Sequence, residues 1–293
     1  MIYLKSFSFA KASQEEKFIL TFPYLLEMQC FSHDNVYPFK IFPQKGFEKA
    51  TFEPITVFYG RNGSGKSTVL NVISQKLGFS HASRFNTTPY MKEYLKFCDY
   101  ELASDKLPAL SRKITSDDVF DFLLDLRAIN DGVDQRRDAL LDEYYQTIKV
   151  DNAPLESLDG LSELKRRNEA RAITKSKYVA KRIPKELDGR SNGESAYEFF
   201  TRKIEENAIY LLDEPENSLS AELQIRLAQF LEESARFYNC QFIISTHSPF
   251  LLAMKGAKIY DLDSTPVSVR QWAELENVRI YYDFFKRHEN SFR

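Results

Sequence analysis

Gly60–Thr68, with the sequence GRNGSGKST, is the stretch that decides the fold of this 293-residue chain. It satisfies the pattern G-x-x-x-x-G-K-S/T, and the β-branched and aromatic run Ile55–Tyr59 before it predicts a buried strand. The apolar spacing of Ser67–Leu77 after it predicts a helix that ends at Gly78. A glycine-rich turn without a ligand is the alternative, but the lysine and the hydroxyl at the required positions favour a phosphate-binding loop.

The residue types in this loop fit the chemistry of a nucleoside triphosphate. Glycines let the backbone close around phosphate oxygens, and the N-terminus of the following helix adds positive potential. Lys66 would place a charge at the β- and γ-phosphates, and the Ser67 hydroxyl would ligate Mg²⁺. The residues predicted to bind the nucleotide here are Gly60, Arg61, Asn62, Gly63, Ser64, Gly65, Lys66, Ser67 and Thr68.

A second acidic segment follows the apolar run Ala208–Leu212, which predicts another buried strand. Asp213 and Glu214 come directly after it, at the strand end where ligands bind to parallel sheets. We predict that Asp213 holds Mg²⁺ and that Glu214 polarises the attacking water. Taken alone, an apolar run followed by two acids also occurs at ordinary strand ends.

Three segments resemble a known family, the ABC-type ATPases. Asp213–Ser220 (DEPENSLS) resembles the Walker B motif and D-loop, Ser245–Pro249 (STHSP) resembles the switch-histidine segment, and Ser191–Ser195 (SNGES) resembles the signature. Singly, the signature could be a helix cap and turn, and His247 could be a core histidine. Together the motifs occur in the family's order. The whole chain resembles bacterial stand-alone AAA family ATPases related to the overcoming-lysogenization-defect and chromosome-maintenance proteins.

The resemblance implies ATP hydrolysis at a site that two chains share. One protomer would supply the phosphate loop, Asp213, Glu214 and His247, and ATP with Mg²⁺ would bring two copies together head to tail. His247 would contact the γ-phosphate. The partner would supply the signature residues Ser191, Gly193 and Glu194.

Two features of the family have no single candidate in the sequence. The Q-loop glutamine could be Gln75, Gln135 or Gln146. The aromatic residue that stacks on adenine could be Tyr24, Tyr37, Phe39 or Phe42.

The resemblance predicts an α/β fold, a P-loop NTPase of ABC type with a mixed sheet, an N-terminal antiparallel β region and an inserted helical subdomain. We expect residues 1–78 to hold the β region and the phosphate-loop half of the core. Residues 79–188 would form the helical insertion, and residues 189–293 would hold the signature, Asp213 and His247.

Several elements are predicted from periodicity. Met1–Phe9 and Lys17–Phe22 are typical of antiparallel strands, and Tyr37–Phe42 is a weaker strand candidate. Ser116–Ile148 is mainly helical with Ser116 as its cap, and Leu161–Arg182 is typical of a charged helix or pair of helices.

Composition excludes several classes of protein. No apolar run approaches the length of a membrane span, so we expect no direct membrane insertion, and the isolated cysteines fit the reduced thiols of a cytoplasmic protein. The cysteines Cys30, Cys98 and Cys240 lack the spacing of a zinc site or a disulfide framework. A net charge of −2 gives no general attraction to nucleic acid. The basic stretch 165–182 could contact nucleic acid or be a solvated helix face.

The form of the motifs favours an ATP-driven switch that acts on nucleic acid or on a partner effector, as in DNA repair or phage defence. A homodimer formed on ATP binding and a separate effector protein are the expected partners. The alternative is the ATP-binding subunit of an ABC transporter, against which the long insertion argues.

Overall fold

The computed structural model describes most of the chain and divides it into two compact units. The residues described are 1–20, 36–79, 88–104, 106–149 and 191–292. One unit comprises Met1–Phe120 and Asn192–Arg293, and the other comprises Asp121–Ser191. The predicted domain boundaries at residues 78 and 189 stay a prediction. Among the described residues, no helix is both long and apolar enough to cross a membrane.

The helices and strands of the described residues are numbered in chain order. The strands are β1 (Leu4–Ser8), β2 (Lys49–Thr51), β3 (Ile55–Tyr59), β4 (Asp99–Leu102), β5 (Arg112–Thr115), β6 (Ile209–Asp213), β7 (Gln241–Thr246), β8 (Lys258–Asp261) and β9 (Ser268–Arg270). The helices are α1 (Ala12–Leu20), α2 (Ile41–Gln44), α3 (Lys66–Leu77), α4 (Pro89–Phe97), α5 (Ser116–Lys149), α6 (Asn192–Lys203), α7 (Ala221–Phe237), α8 (Pro249–Leu252) and α9 (Glu276–Arg287). Short 3₁₀ helices span Trp272–Glu274 and Glu289–Phe292.

The main sheet has the strand order β5-β6-β7-β3-β8-β9. Neighbours from β5 to β8 are parallel, and β9 is antiparallel to β8. Every residue of β3, β6 and β7 is buried, as expected for parallel strands that are covered on both faces. The predicted α/β fold with a mixed sheet is therefore confirmed.

The register of this sheet brings the polar strand ends together. Tyr59 lies opposite Thr246 and opposite Asp261, while Asp213 lies opposite Ser245 and opposite Thr115. The loop after β3 and the residues after β6 and β7 consequently emerge at one edge. The backbone register alone therefore makes neighbours of polar residues that are far apart in the sequence.

A second sheet, with the order β2-β1-β4, is antiparallel throughout and confirms the predicted N-terminal β region. The Gln241 side chain connects it to the main sheet. Its amide nitrogen donates to the carbonyl oxygen of Leu4 at 2.9 Å, and its oxygen accepts from the N–H of Leu4 at 2.9 Å. Because Gln241 is fully buried, both hydrogen bonds are protected from water.

Two strand predictions in the N-terminal region are wrong. Lys17–Phe22 was expected to be a strand, but residues 17–20 belong to α1, and residues 21 and 22 lie outside the described part. The apolar run is too short to distinguish strand from helix, and the helix formers Ala12–Glu16 precede it. Tyr37–Phe42 forms a turn that leads into α2.

The predicted helical insertion also contains strands. Within it, β4 joins the small sheet and β5 joins the main sheet beside β6. The long helix predicted from Ser116 is confirmed as α5, but Thr115 is its cap, because the Thr115 hydroxyl accepts from the N–H of Asp118 at 3.3 Å. The helix predicted at Leu161–Arg182 lies outside the described residues.

Candidate functional site

The phosphate loop connects β3 to α3 and is folded around its own lysine. Lys66 is buried, and its Nζ donates to the carbonyl oxygens of Gly60 at 2.8 Å and Arg61 at 3.2 Å. Gly63 and Gly65 have φ angles of 80° and 95°, in the left-handed region that favours glycine. A Cβ at Gly60 would lie 2.3 Å from the Ser64 hydroxyl oxygen. The backbone angles at Gly63 and Gly65 and the close contact at Gly60 therefore explain why these three positions are glycine.

A cavity of about 600 Å³ lies over this loop. Its described lining consists of Tyr37, Ile41, Gln44, Lys45, Asn62, Gly63, Ser64, Gly65, Lys66, Ser67, Thr68 and Glu214. Tyr37 is the described aromatic residue in this lining. Phe39 and Phe42, also candidates for adenine stacking, are buried in the hydrophobic core, and Tyr24 lies outside the described residues.

Asp213, at the end of β6, meets the loop directly. The Ser67 hydroxyl donates to Asp213 Oδ1 at 3.0 Å, and the Ser245 hydroxyl of β7 donates to the same oxygen. A hydroxyl and a carboxylate at this distance supply the hard oxygen ligands that Mg²⁺ prefers, with water filling its other positions. The residues present therefore fit a magnesium ion. The described residues contain no cluster of three or more His, Cys, Asp or Glu side chains that would suggest another metal site.

Lys113 on β5 is a site residue that the sequence did not reveal. Its Nζ lies 3.5 Å from Asp213 Oδ2 and donates to the Asn71 side-chain oxygen on α3. Burial lowers the pKa of Lys113, while the neighbouring Asp213 acts in the opposite direction. A lysine therefore occupies the side of Asp213 that faces away from Ser67.

Glu214 follows Asp213 with an unusual backbone conformation. Its φ angle is 49°, and its N–H donates to the carbonyl oxygen of Ser245 at 3.0 Å. This geometry turns the side chain toward the loop, where Glu214 Oε1 lies 3.4 Å from Lys66 Nζ. The carboxylate lines the phosphate-loop cavity, as its predicted role with the attacking water requires.

His247 follows β7 and is held from two sides. The side chain of Glu216 accepts from the N–H of His247 at 2.9 Å, and Asn277 at the start of α9 donates to the His247 carbonyl oxygen at 2.9 Å. The imidazole lines a cavity of about 390 Å³ that it shares with Gly60, Arg61 and Glu276. His247 is thus next to the first residues of the phosphate loop.

The predicted signature residues do not line either cavity beside the phosphate loop. Gly193 lies in the first turn of α6, where a Cβ would be 3.0 Å from Leu223 and 3.2 Å from the carbonyl oxygen of Ser218. Glu194 is the next residue of the same turn, and Ser191 is exposed immediately before α6. The structure brings together the phosphate loop, Asp213, Glu214 and His247, but not the signature.

None of the three Q-loop candidates is identified by the lining of the phosphate-loop cavity. Gln75 lies on α3 and Gln135 on α5, and neither lines the phosphate-loop cavity. Gln146 also lies on α5, but its side chain is outside the described part of the structure.

Comparison with known proteins gives one family match. Residues 181–253 match the model described as "AAA domain, putative AbiEii toxin, Type IV TA system". No curated protein matches the chain.

Solved structures that resemble the chain do so at low identity. The Smc head domain of Pyrococcus furiosus, with an extended coiled coil and bound to the C-terminal domain of ScpA, is 14% identical with a TM-score of 0.44, covering 97% of this chain and 100% of that one. The SMC head domain of Thermotoga maritima is 15% identical with a TM-score of 0.38, covering 92% and 99%. The dimeric ATP-binding cassette MJ0796, bound to ADP and Pi, is 14% identical with a TM-score of 0.35, covering 78% and 90%.

The family match covers α6 to α8, the part of the chain that holds Asp213, Glu214 and His247. This part of the chain is therefore similar to an AAA domain, which agrees with the AAA family ATPases that its motifs resemble.

Proposed function

We propose that the chain binds ATP with Mg²⁺ and hydrolyses it at a site completed by a second copy of the chain. The observation that carries the proposal is the contact of Ser67 with Asp213, beside Lys66 and Glu214. This set combines a phosphate-binding cation, two oxygen ligands for a hard metal and a carboxylate that can orient water. The family match over Asp213 and His247 supports nucleotide hydrolysis in general.

Each residue has a distinct part in the proposed reaction. The amides of the phosphate loop and Lys66 bind the β- and γ-phosphates, and Ser67 and Asp213 would hold Mg²⁺, which would supply positive charge to the phosphate oxygens. Glu214 orients the attacking water, and His247 contacts the γ-phosphate. Tyr37, which lines the same cavity, is our candidate for stacking on the base.

The position of the signature supports the shared site. Gly193 and Glu194 belong to the first turn of a 12-residue helix, α6, whose N-terminus can bind a phosphate. That turn is absent from the described lining of the phosphate-loop cavity. We therefore propose that it serves the nucleotide of a second copy, so that ATP joins two chains and its hydrolysis releases them.

We propose that ATP turnover controls a separate effector protein. The exposed side chains of Ile280, Tyr281, Phe284 and Phe285 on α9 support a protein partner, because clustered exposed apolar groups are typical of contact sites. Binding of nucleic acid through residues 165–182 also stays a proposal, since that stretch lies outside the described residues.

The experiment that tests the proposal is light scattering of the Glu214→Gln variant with saturating ATP and Mg²⁺. The amide cannot activate water but keeps the loop intact, so we expect slow hydrolysis and a stable dimer. Glu222→Gln, an exposed change on α7, is the matched control and should hydrolyse ATP like the wild type. A Glu214→Gln chain that binds ATP and stays monomeric would overturn the shared site.

A further inference from the structure

Glu216 is a buried carboxylate to which the reaction proposed above assigns no role. Only 6% of its surface is exposed. Oε1 accepts from the Thr246 hydroxyl at 2.7 Å and from the N–H of His247 at 2.9 Å, while Oε2 has no hydrogen-bond partner among the described residues. Burial raises the pKa of Glu216, which shows that the protein environment disfavours its charge. A neutral glutamine could accept the same two hydrogen bonds, so the acid needs another explanation.

The imidazole of His247 supplies that explanation. Its Nδ1 lies 3.3 Å from Glu216 Oε1 and is itself buried, with no hydrogen bond to any described residue. The ring as a whole is 45% exposed and lines the cavity beside Gly60 and Arg61. One nitrogen therefore faces a buried carboxylate, while the exposed part of the ring lines the cavity that includes the first residues of the phosphate loop.

The chemistry of the two neighbours determines the protonation state that the ring needs. A phosphate offers acceptors only, so Nε2 must carry a proton to bind it, and Nδ1 must carry one to form an ion pair with the carboxylate 3.3 Å away. Both conditions hold together only in the imidazolium form. A carboxylate within ion-pair distance of Nδ1 favours that form.

We propose that Glu216 is a positioning residue that holds His247 as an imidazolium, with Nε2–H directed at the γ-phosphate. The inference rests on the proposed ATP hydrolysis and deepens it. His247 then brings a full positive charge to the phosphate as negative charge develops there, instead of a neutral ring.

The groups around the imidazole indicate that Glu216 is the acid that interacts with it. Gln224 on α7, Ser248 before α8 and Asn277 on α9 are neutral. The charged residues that line the imidazole cavity, Arg61 and Glu276, are paired with each other, and Lys66 of the phosphate loop is paired with Glu214. Among these described side chains, Glu216 is the anion within ion-pair distance of His247.

The kinetic test is a double-mutant cycle on steady-state ATP hydrolysis with Glu216→Gln, His247→Ala and the double variant. We expect Glu216→Gln to keep the melting temperature and KM and to lower kcat by roughly tenfold or more, as loss of an interaction between two charged groups predicts. In the His247→Ala background the same change should have no further effect. An unchanged kcat in Glu216→Gln, or an equal loss in both backgrounds, would show that Glu216 only caps the turn.

A second measurement does not depend on hydrolysis. Side-chain ¹H–¹⁵N spectra of the full chain report which nitrogens of each histidine are protonated, and the His247 signals are those lost in His247→Ala. With a non-hydrolysable ATP analogue and Mg²⁺ at neutral pH, we expect both nitrogens protonated in the wild type and one in Glu216→Gln. The same protonation in both proteins would refute the inference. A wild type that fails to hydrolyse ATP would refute the proposed function and leave this comparison valid.

Discussion

Replacing Lys113 with methionine tests whether the lysine is part of the metal-binding arrangement. Methionine has a similar length and fills the same buried space without charge. Lys113 Nζ lies 3.5 Å from Asp213 Oδ2, and both side chains are largely buried. The variant therefore leaves the Asp213 carboxylate with its two hydroxyl donors but without a compensating cation.

The expected size of the effect follows from that distance. At an effective dielectric constant of about 20, the attraction of the two charges is about 5 kcal/mol. Burial opposes the charge of Lys113, as its lowered pKa shows, and offsets part of this gain. Removing one member of a buried pair costs about 3 kcal/mol or more, because the other member stays uncompensated. For a domain of this size we expect the melting temperature to fall by roughly 8 °C.

Thermal unfolding of Lys113→Met with and without Mg²⁺–ATP is the assay. Because a bound metal gives Asp213 a new positive partner, the deficit relative to wild type should shrink when Mg²⁺–ATP is saturating. Arg112→Met is the matched control on the same strand: its pair with Glu205, at 3.2 Å, is partly exposed and should contribute less than about 1 kcal/mol. A Lys113→Met chain that melts at the same temperature as Arg112→Met would refute a role for Lys113 beside the metal. The same holds if its loss of melting temperature relative to wild type is unchanged by Mg²⁺–ATP.

Two further predictions concern the base and a buried acid. Tyr37→Ala should weaken ATP binding by roughly tenfold through loss of stacking, whereas Tyr37→Phe should bind normally, as measured with a fluorescent ATP analogue; equal affinity in all three proteins would exclude Tyr37. Burial raises the pKa of Glu15 from 4.5 to about 7, so the folded chain keeps a proton that the unfolded chain loses. Stability should fall as the pH rises from about 4.5 to 7, and Glu15→Gln should remove that slope in melting temperature; parallel curves for the two proteins would contradict this.

The sequence was sufficient for the parts of the site that local patterns encode. Gly60–Thr68 needs a strand before it and a helix after it, and both are visible in the residues that flank it. The acidic pair after β6 follows from strand periodicity. Their meeting could also be predicted, because parallel strands present their carboxyl ends at one edge.

Lys113 and Glu216 show what local patterns could not reveal. Strand β5 has four residues, two of them charged, and its partner in the sheet is almost a hundred residues away, so no periodicity marks it. Glu216 stands in a recognisable motif, but its burial and its contact with His247 depend on the packing of two loops. Packing also distinguishes the described candidates for adenine stacking. Tyr37 lines the cavity, whereas Phe39 and Phe42 lie in the hydrophobic core.

The most direct test of the shared site is to mix two inactive chains. Lys66→Ala should lose nucleotide binding at its own loop, and Gly193→Asp should place a negative charge where the signature would meet the partner's γ-phosphate. In a mixed pair, the loop of the Gly193→Asp chain faces the intact signature of the Lys66→Ala chain. At equal concentrations, half of random pairs are mixed and each has one sound site of two, so we predict about a quarter of wild-type ATPase activity. If the mixture stays as inactive as either variant alone, while both variants fold normally, the claim that two copies build the site is contradicted.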